Sequence, residues 1–119
     1  MGREVVAKPL PRWSEVGISR GKITGYLLAT GHPVGGAQAR YFESRGYSID
    51  SPEVLEESLT DVALRGEVVS EEATEWGTKY VVVGTVQAPD GNPMSLGTVW
   101  IDVDEPVPML VTAYPARDK

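Results

Sequence analysis

The spacing of apolar residues along the chain changes near Gly66. Before this residue, apolar positions recur every three or four residues, which predicts helices over 20–28, 36–45 and 52–65. Ser19 and Ser51 stand where N-caps are expected, and Gly46 and Gly66 stand where the second and third helices would end. After Gly66, apolar and polar residues alternate, which predicts strands over 67–73, 80–87, 96–103 and 109–114.

Helices followed by strands are typical of an α+β domain. The strands follow one another with short connections, so they are expected to pair as a four-stranded antiparallel meander. The three N-terminal helices would then pack on one face of that sheet. At 119 residues, the chain is expected to be one domain, with a core over about 9–115 and an N-terminal extension over 1–8.

The alternation within the last two strands also predicts which side chains face the helices. We expect Val99, Ile101 and Val103 to lie in the core, together with Val111 and Ala113. The other parity would form a face of hydroxyl, aromatic and apolar groups on which a ligand can lie: Leu96, Thr98, Trp100, Asp102, Leu110, Thr112 and Tyr114.

Composition narrows the function classes. The chain has no cysteine and one histidine, which excludes a disulfide framework, a thiolate zinc site and a cysteine nucleophile, so we expect neither metal nor cofactor. No signal peptide and no apolar run of membrane-spanning length are apparent. We therefore expect a cytoplasmic protein that does not bind membranes.

Charge is distributed unevenly around the net value of -6. Residues 1–48 hold seven basic and three acidic residues, and 49–75 hold one basic and nine acidic residues. An acidic protein is a poor general binder of nucleic acid, because phosphate affinity depends on Lys and Arg. The basic first segment still allows a local anion site, and the acidic segment is typical of a solvated helix face.

His32 is the strongest candidate for chemistry, because it precedes the glycine-rich start of the second helix. The free amides of Gly35 and Gly36 would attract an anion such as phosphate, and a histidine beside it can transfer protons near neutral pH. The alternative is a turn residue whose ring bonds a backbone carbonyl.

Further side chains with polar or stacking groups are candidates for binding RNA. Arg40 can hold a phosphate in bidentate fashion, although surface solubility explains it equally well. Thr98, Thr112 and Tyr114 can donate hydrogen bonds, but Thr and Tyr are also common in strands. Trp100 can stack on a base, and its alternative role is packing.

The segments KITGYLLATGHPVGGAQARYFESRGY, GTKYVVVGTV, GTVWI and PMLVTAYP, in this order, resemble the bacterial DUF6883 family over about residues 9–115. That family is similar to toxin domains of the barnase, EndoU, colicin and RelE type, many of which cut RNA without a metal. The resemblance implies helices before a four-stranded antiparallel sheet, and a partner encoded nearby. It aligns Gln38 with a position where family members usually carry lysine, and Arg40 lies about 200° further round the helix.

These observations lead to a ribonuclease-like toxin of a toxin-antitoxin pair as the first hypothesis. Its catalytic residues would be His32, Tyr114 and Thr98. Its phosphate or substrate contacts would come from Arg40, Gly35, Gly36, Gln38, Thr112 and Trp100. The substrate would be RNA and the protein partner a cognate antitoxin or immunity protein. Two alternatives remain, namely a non-catalytic protein-binding module and a protein of the antitoxin or immunity type.

Overall fold

A computed structural model of the chain describes residues 16–29, 31, 36–103 and 107–116. Three helices precede four strands within these residues, as the periodicity predicts. The helices are α1 (Arg20–Lys22), which continues as a π-helical turn over Ile23–Leu27, α2 (Gly36–Ser44) and α3 (Pro52–Arg65). The strands are β1 (Glu67–Thr74), β2 (Gly77–Gln87), β3 (Pro93–Asp102) and β4 (Met109–Pro115).

The predicted helix boundaries follow from their capping residues. The Ser19 hydroxyl accepts the Lys22 amide, as an N-cap should. Gly46 follows α2 with a φ of 102°, where a Cβ atom would lie 2.9 Å from the Cβ of Pro89. Glycine is therefore favoured at this turn both by its backbone conformation and by the lack of space. Ser51 occupies the N-cap position of α3, although its side chain makes no capping hydrogen bond.

The strands form one open antiparallel sheet in the order β1-β2-β3-β4, which confirms the predicted meander. A two-residue turn, Glu75 and Trp76, joins β1 to β2. The predicted turn around residues 105 and 106 lies outside the described residues. α3 packs against β2 and β3, and α2 reaches β4, so the fold is α+β with the helices contacting the sheet.

The prediction of which β3 residues face the helices is wrong. Leu96, Thr98 and Trp100 are fully buried, whereas Val99 and Ile101 lie half-buried on the opposite face. Both parities of this strand are largely apolar, so alternation alone does not identify the core. Burial free energy scales with the apolar area removed from water, at about 25 cal/mol per Å². Burying Leu96 and Trp100 instead of valine therefore removes more apolar area from water and stabilises the fold more.

On β4, Ala113 is buried as predicted, but Val111 is 36% exposed and Leu110 is buried instead. The register explains this difference, because Leu110 pairs with Trp100 and Thr112 with Val99, which leaves Val111 without a partner. Such a bulge shifts the alternation by one residue. The core spacing on β4 is consequently three residues, from Leu110 to Ala113, instead of two.

Candidate functional site

Two of the predicted site residues, His32 and Gly35, lie outside the described residues. Gly36 is the first residue of α2 and is buried. The structure therefore describes the helix that directly follows the histidine segment, together with the strand that carries Thr112 and Tyr114.

Thr98 and Trp100 lie in the core, so the prediction that they share an exposed ligand face is wrong. The Trp100 indole N–H donates to the Thr98 hydroxyl at 2.7 Å. That hydroxyl in turn donates to the Val82 carbonyl at 2.9 Å. Because both side chains are fully buried, these hydrogen bonds satisfy polar groups that would otherwise destabilise the core. Packing therefore explains both residues of this motif, and neither is in a position to contact RNA.

Tyr114 and Thr112 lie on the outer face, by which we mean the face of the sheet that is turned away from the helices. Tyr114 pairs with Gly97, and Thr112 pairs with Val99. A Cβ atom added to Gly97 would lie 2.7 Å from the Tyr114 hydroxyl oxygen and even closer to two of its ring carbons. The tyrosine ring therefore lies across the bare backbone of Gly97, which fixes its position on the sheet.

Two hydroxyl groups near this ring were not identified from the sequence. Thr85 and Ser95 pair across β2 and β3 on the outer face, with 3.5 Å between their hydroxyl oxygens. Ser95 lies two residues before Gly97 and so belongs to the same face as Tyr114. Alternation puts Ser95, Gly97 and Val99 on one face of β3, and this face is the outer one, contrary to the sequence prediction.

The first turn of α2 is tied to β4 by a side chain. The Gln38 amide donates a hydrogen bond to the backbone carbonyl of Ala113, which lies between Thr112 and Tyr114. The Ala116 amide donates to Ser95, and hydrogen-bond direction alternates along a strand, so the Ala113 carbonyl points away from β3. Gln38 thus satisfies a carbonyl on the edge of β4 that faces away from β3, and it fixes the start of α2 beside this edge.

The opposite end of α2 is fixed to the turn between β2 and β3. Arg45, directly after the helix, forms an ion pair with Asp90 at 2.8 Å and donates to the Pro93 carbonyl at 3.0 Å. The hydrogen bond from the Arg45 guanidinium to the Asp90 carboxylate holds the pKa of this carboxyl below its ordinary value. With both ends attached to the sheet, α2 has little freedom to rotate.

Charges near the outer face and on α3 differ in their suitability for RNA. Arg40 lies on the exposed side of α2, and Gln38 faces β4, as their spacing on a helix requires.

A shallow depression of about 480 Å³ runs along α3 and is lined mainly by carboxylates and apolar atoms, with one arginine. Its acidic members are Glu53, Glu56, Glu57 and Asp61. Such a surface repels phosphate, so it is not suited to bind an RNA substrate.

Among the described residues, no helix has both the length and the apolar character needed to cross a bilayer. In the same ranges, histidine, aspartate and glutamate side chains nowhere gather in a group of three or more that could hold a metal ion.

Comparison with known proteins identifies one family and a structural neighbour. The domain of unknown function DUF6883 matches residues 9–117. No curated protein matches the chain. A contact-dependent growth inhibition toxin - immunity protein complex from Klebsiella pneumoniae 342 contains a chain with the same fold, at a TM-score of 0.67 and 16% sequence identity. The alignment covers 83% of this chain and 98% of that chain.

Proposed function

Since the chain belongs to the DUF6883 family, we propose that it acts in a bacterial toxin system as a metal-independent ribonuclease. The family resemblance to ribonuclease toxins and the fold shared with a toxin - immunity protein complex support this assignment. We assign the chemistry to His32 together with Tyr114, next to the edge of β4 that Gln38 contacts.

The hydrogen bond from Gln38 to Ala113 is the observation that carries this proposal. His32 precedes Gln38 by only six residues, and Ala113 directly precedes Tyr114. The bond therefore holds the helix that follows the histidine segment beside the strand that presents the tyrosine. This contact between α2 and β4 supports our assignment of His32 and Tyr114 to one site.

His32 and Tyr114 would share the proton transfers of RNA cleavage. One group removes the proton of the ribose 2′-hydroxyl, whose oxygen attacks the adjacent phosphorus. The bond from phosphorus to the 5′-oxygen then breaks, and this oxygen receives a proton from the acid. The products are a 2′,3′-cyclic phosphate and a free 5′-hydroxyl. A histidine suits either role because its ordinary pKa lies close to neutral pH.

The remaining residues would bind the phosphate. The amides of Gly35 and Gly36 would bind the anion at the start of α2, and Arg40, on the side of this helix away from Gln38, would add positive charge at longer range. Thr112 and Tyr114 provide hydroxyl donors from β4. Stabilising the negative charge that develops on the phosphate oxygens is expected to be the largest contribution to the rate.

The test is incubation of the purified protein with total bacterial RNA in the presence of EDTA. The wild-type protein should cleave RNA, and His32→Ala should lose this activity because it lacks the proton-transfer group. Tyr114→Phe should be slower, since it keeps the ring over Gly97 but lacks the hydroxyl. Tyr26→Phe is the matched control, because it removes a tyrosine hydroxyl from the π-helical turn on which the proposal does not depend.

Intact RNA with well-folded wild-type protein would contradict ribonuclease activity. Activity that persists in His32→Ala, or that requires a divalent metal, would contradict the assigned mechanism. Equal loss of RNA cleavage in Tyr114→Phe and Tyr26→Phe would contradict a specific role of the Tyr114 hydroxyl, because removing either tyrosine hydroxyl would then have the same effect.

A protein of the immunity type is the second candidate, and the acidic surface of α3 favours it. The carboxylates along this helix carry negative charge, as do the phosphates that a ribonuclease would bind. Copurification with a basic protein, lost when Glu53 and Glu57 are changed to glutamine, would support this candidate. The binding would have to persist in His32→Ala, which leaves the acidic surface unchanged.

A further inference from the structure

The two edges of the sheet differ in how far their backbone groups are satisfied. On β4, the Leu110 amide donates to the Gly17 carbonyl at 3.0 Å, and Gln38 donates to the Ala113 carbonyl. Pro115, at the end of this strand, has no amide proton. These features block the addition of another strand along β4.

The outer edge of β1 has no such cover among the residues that the structure describes, because β1 pairs with β2 alone. Six of its eight residues are exposed. The two-residue turn makes Thr74 and Gly77 a hydrogen-bonded pair, and the alternation then turns the backbone groups of Glu71 and Ala73 outward. Unpaired groups of this kind are a template for a strand from another chain.

The negative charge of this edge disfavours the addition of a second copy of this chain and favours the addition of a cationic segment. Glu67, Glu71, Glu72 and Glu75 are all exposed, and the ion pair of Glu72 with Lys79, at 3.6 Å, offsets part of this charge. A second β1 added to the edge would bring carboxylates close to carboxylates, which is unfavourable. A strand rich in lysine or arginine would instead be attracted to them.

Two exposed apolar side chains flank the same edge. Trp76 in the turn is 73% exposed, and Val69 at the bulge in β1 is 57% exposed. The Trp76 amide donates to the Thr74 hydroxyl at 3.1 Å, and this hydroxyl donates to the Gly77 carbonyl at 2.7 Å, so the turn is held in place. A large aromatic side chain on a fixed turn is typical of the residues that dominate binding energy at interfaces.

We propose that the β1 edge, defined here as residues 69–74 together with Trp76, binds a partner protein through a cationic extended segment that adds as a fifth strand. Backbone hydrogen bonds to Glu71 and Ala73 would provide register, and Trp76 would provide an apolar anchor. This proposal is independent of RNA cleavage, because it involves the edge of the sheet farthest from β4.

The probe is a blocked ten-residue peptide of alternating lysine and valine, with its binding followed by calorimetry. A second peptide carries an N-methyl group on every backbone nitrogen, which removes its hydrogen-bond donors on both edges while keeping its charge. The unmodified peptide should bind, and the methylated peptide should bind at least tenfold more weakly. Binding should also weaken with added salt, because the carboxylates are exposed.

Three variants locate the site. Trp76→Ala should weaken binding by about tenfold or more, because it removes the anchor. Glu71→Gln should weaken binding a few-fold, whereas Glu57→Gln on α3 should not, although both remove one exposed carboxylate. Circular dichroism establishes that each variant is folded.

Several results would overturn the proposal: no binding at millimolar peptide, equal binding of the methylated peptide, or unchanged affinity in Trp76→Ala. Self-association of the protein through β1, detected by sedimentation and lost in Trp76→Ala, would overturn it in favour of a second copy. His32→Ala should bind the peptide normally, so failure of the ribonuclease assay and failure of this one are distinguishable.

Discussion

Replacing Gly97 with alanine tests the position of Tyr114 directly. The added Cβ atom would lie 2.7 Å from the Tyr114 hydroxyl oxygen and closer to two ring carbons, whereas favourable contacts between such atoms are about 3.5–4.0 Å. Gly97 lies in the middle of β3, between strands on both sides, so its backbone cannot move away easily. The ring of Tyr114 must therefore be displaced by about 1 Å or more.

Two opposing effects determine the stability of Gly97→Ala. Alanine in a strand is favoured over glycine by about 0.5–1 kcal/mol, because glycine loses more conformational freedom on folding. Overpacking against the ring costs about 1–3 kcal/mol. We expect a net loss of about 1–2 kcal/mol in the free energy of unfolding. In a Tyr114→Ala background the overpacking is absent, so the same substitution should stabilise the protein by about 0.5–1 kcal/mol.

Urea denaturation of the wild type, both single variants and the double variant gives the coupling energy between positions 97 and 114. The structure predicts a coupling of about 1.5–3 kcal/mol and a change of sign between the two backgrounds. If Gly97→Ala stabilises the protein equally in both backgrounds, the ring does not lie across Gly97, and the description of the outer face is wrong.

Three further predictions each concern a single side chain. Thr98→Val should lower the free energy of unfolding by about 1–3 kcal/mol, and Thr98→Ser by less, because valine gives Trp100 no acceptor. Gln38→Ala should speed amide hydrogen exchange in α2 and reduce RNA cleavage, whereas Gln38→Lys keeps a donor for Ala113 and should retain more of both properties. Burial raises the pKa of Tyr47, so the folded state holds that proton more tightly than the unfolded state does. The wild type should therefore lose stability relative to Tyr47→Phe as the pH rises above about 10, measured by urea denaturation from pH 8 to 11.

The order of the elements could be predicted because local signals fix it. Ser19 caps α1, Gly46 ends α2 with a positive φ, and short turns require neighbouring strands to pair. Each of these signals depends on a few adjacent residues. The helices and the antiparallel meander therefore appear in the structure close to their predicted bounds.

The faces of β3 and β4 could not be predicted from alternation. β3 is apolar at both parities, and the bulge at Val111 arises from pairing with another strand, without a local sequence signal. Only the size of Trp100 favoured its burial. The assignment of Thr98 and Trp100 to a ligand face failed for this reason.

The structure also gives the family motifs near the C-terminus a packing role. Gly97 and Thr98 of the first motif pair with Tyr114 and Ala113 of the second. The sequence contained both motifs but not their register, which depends on residues about 16 positions apart along the chain. The contact of Gln38 with Ala113 spans 75 positions, and no local pattern predicts it.

The most direct test of the central claim is the end chemistry of cleaved RNA. A short RNA and the same RNA with 2′-deoxyribose at the cleaved position are incubated with the protein in EDTA, and the products are identified by mass spectrometry. The account predicts a 2′,3′-cyclic phosphate from the first substrate and no cleavage of the second, because the 2′-hydroxyl is the nucleophile. Cleavage of the deoxy-substituted strand, or no cleavage of either, would contradict it.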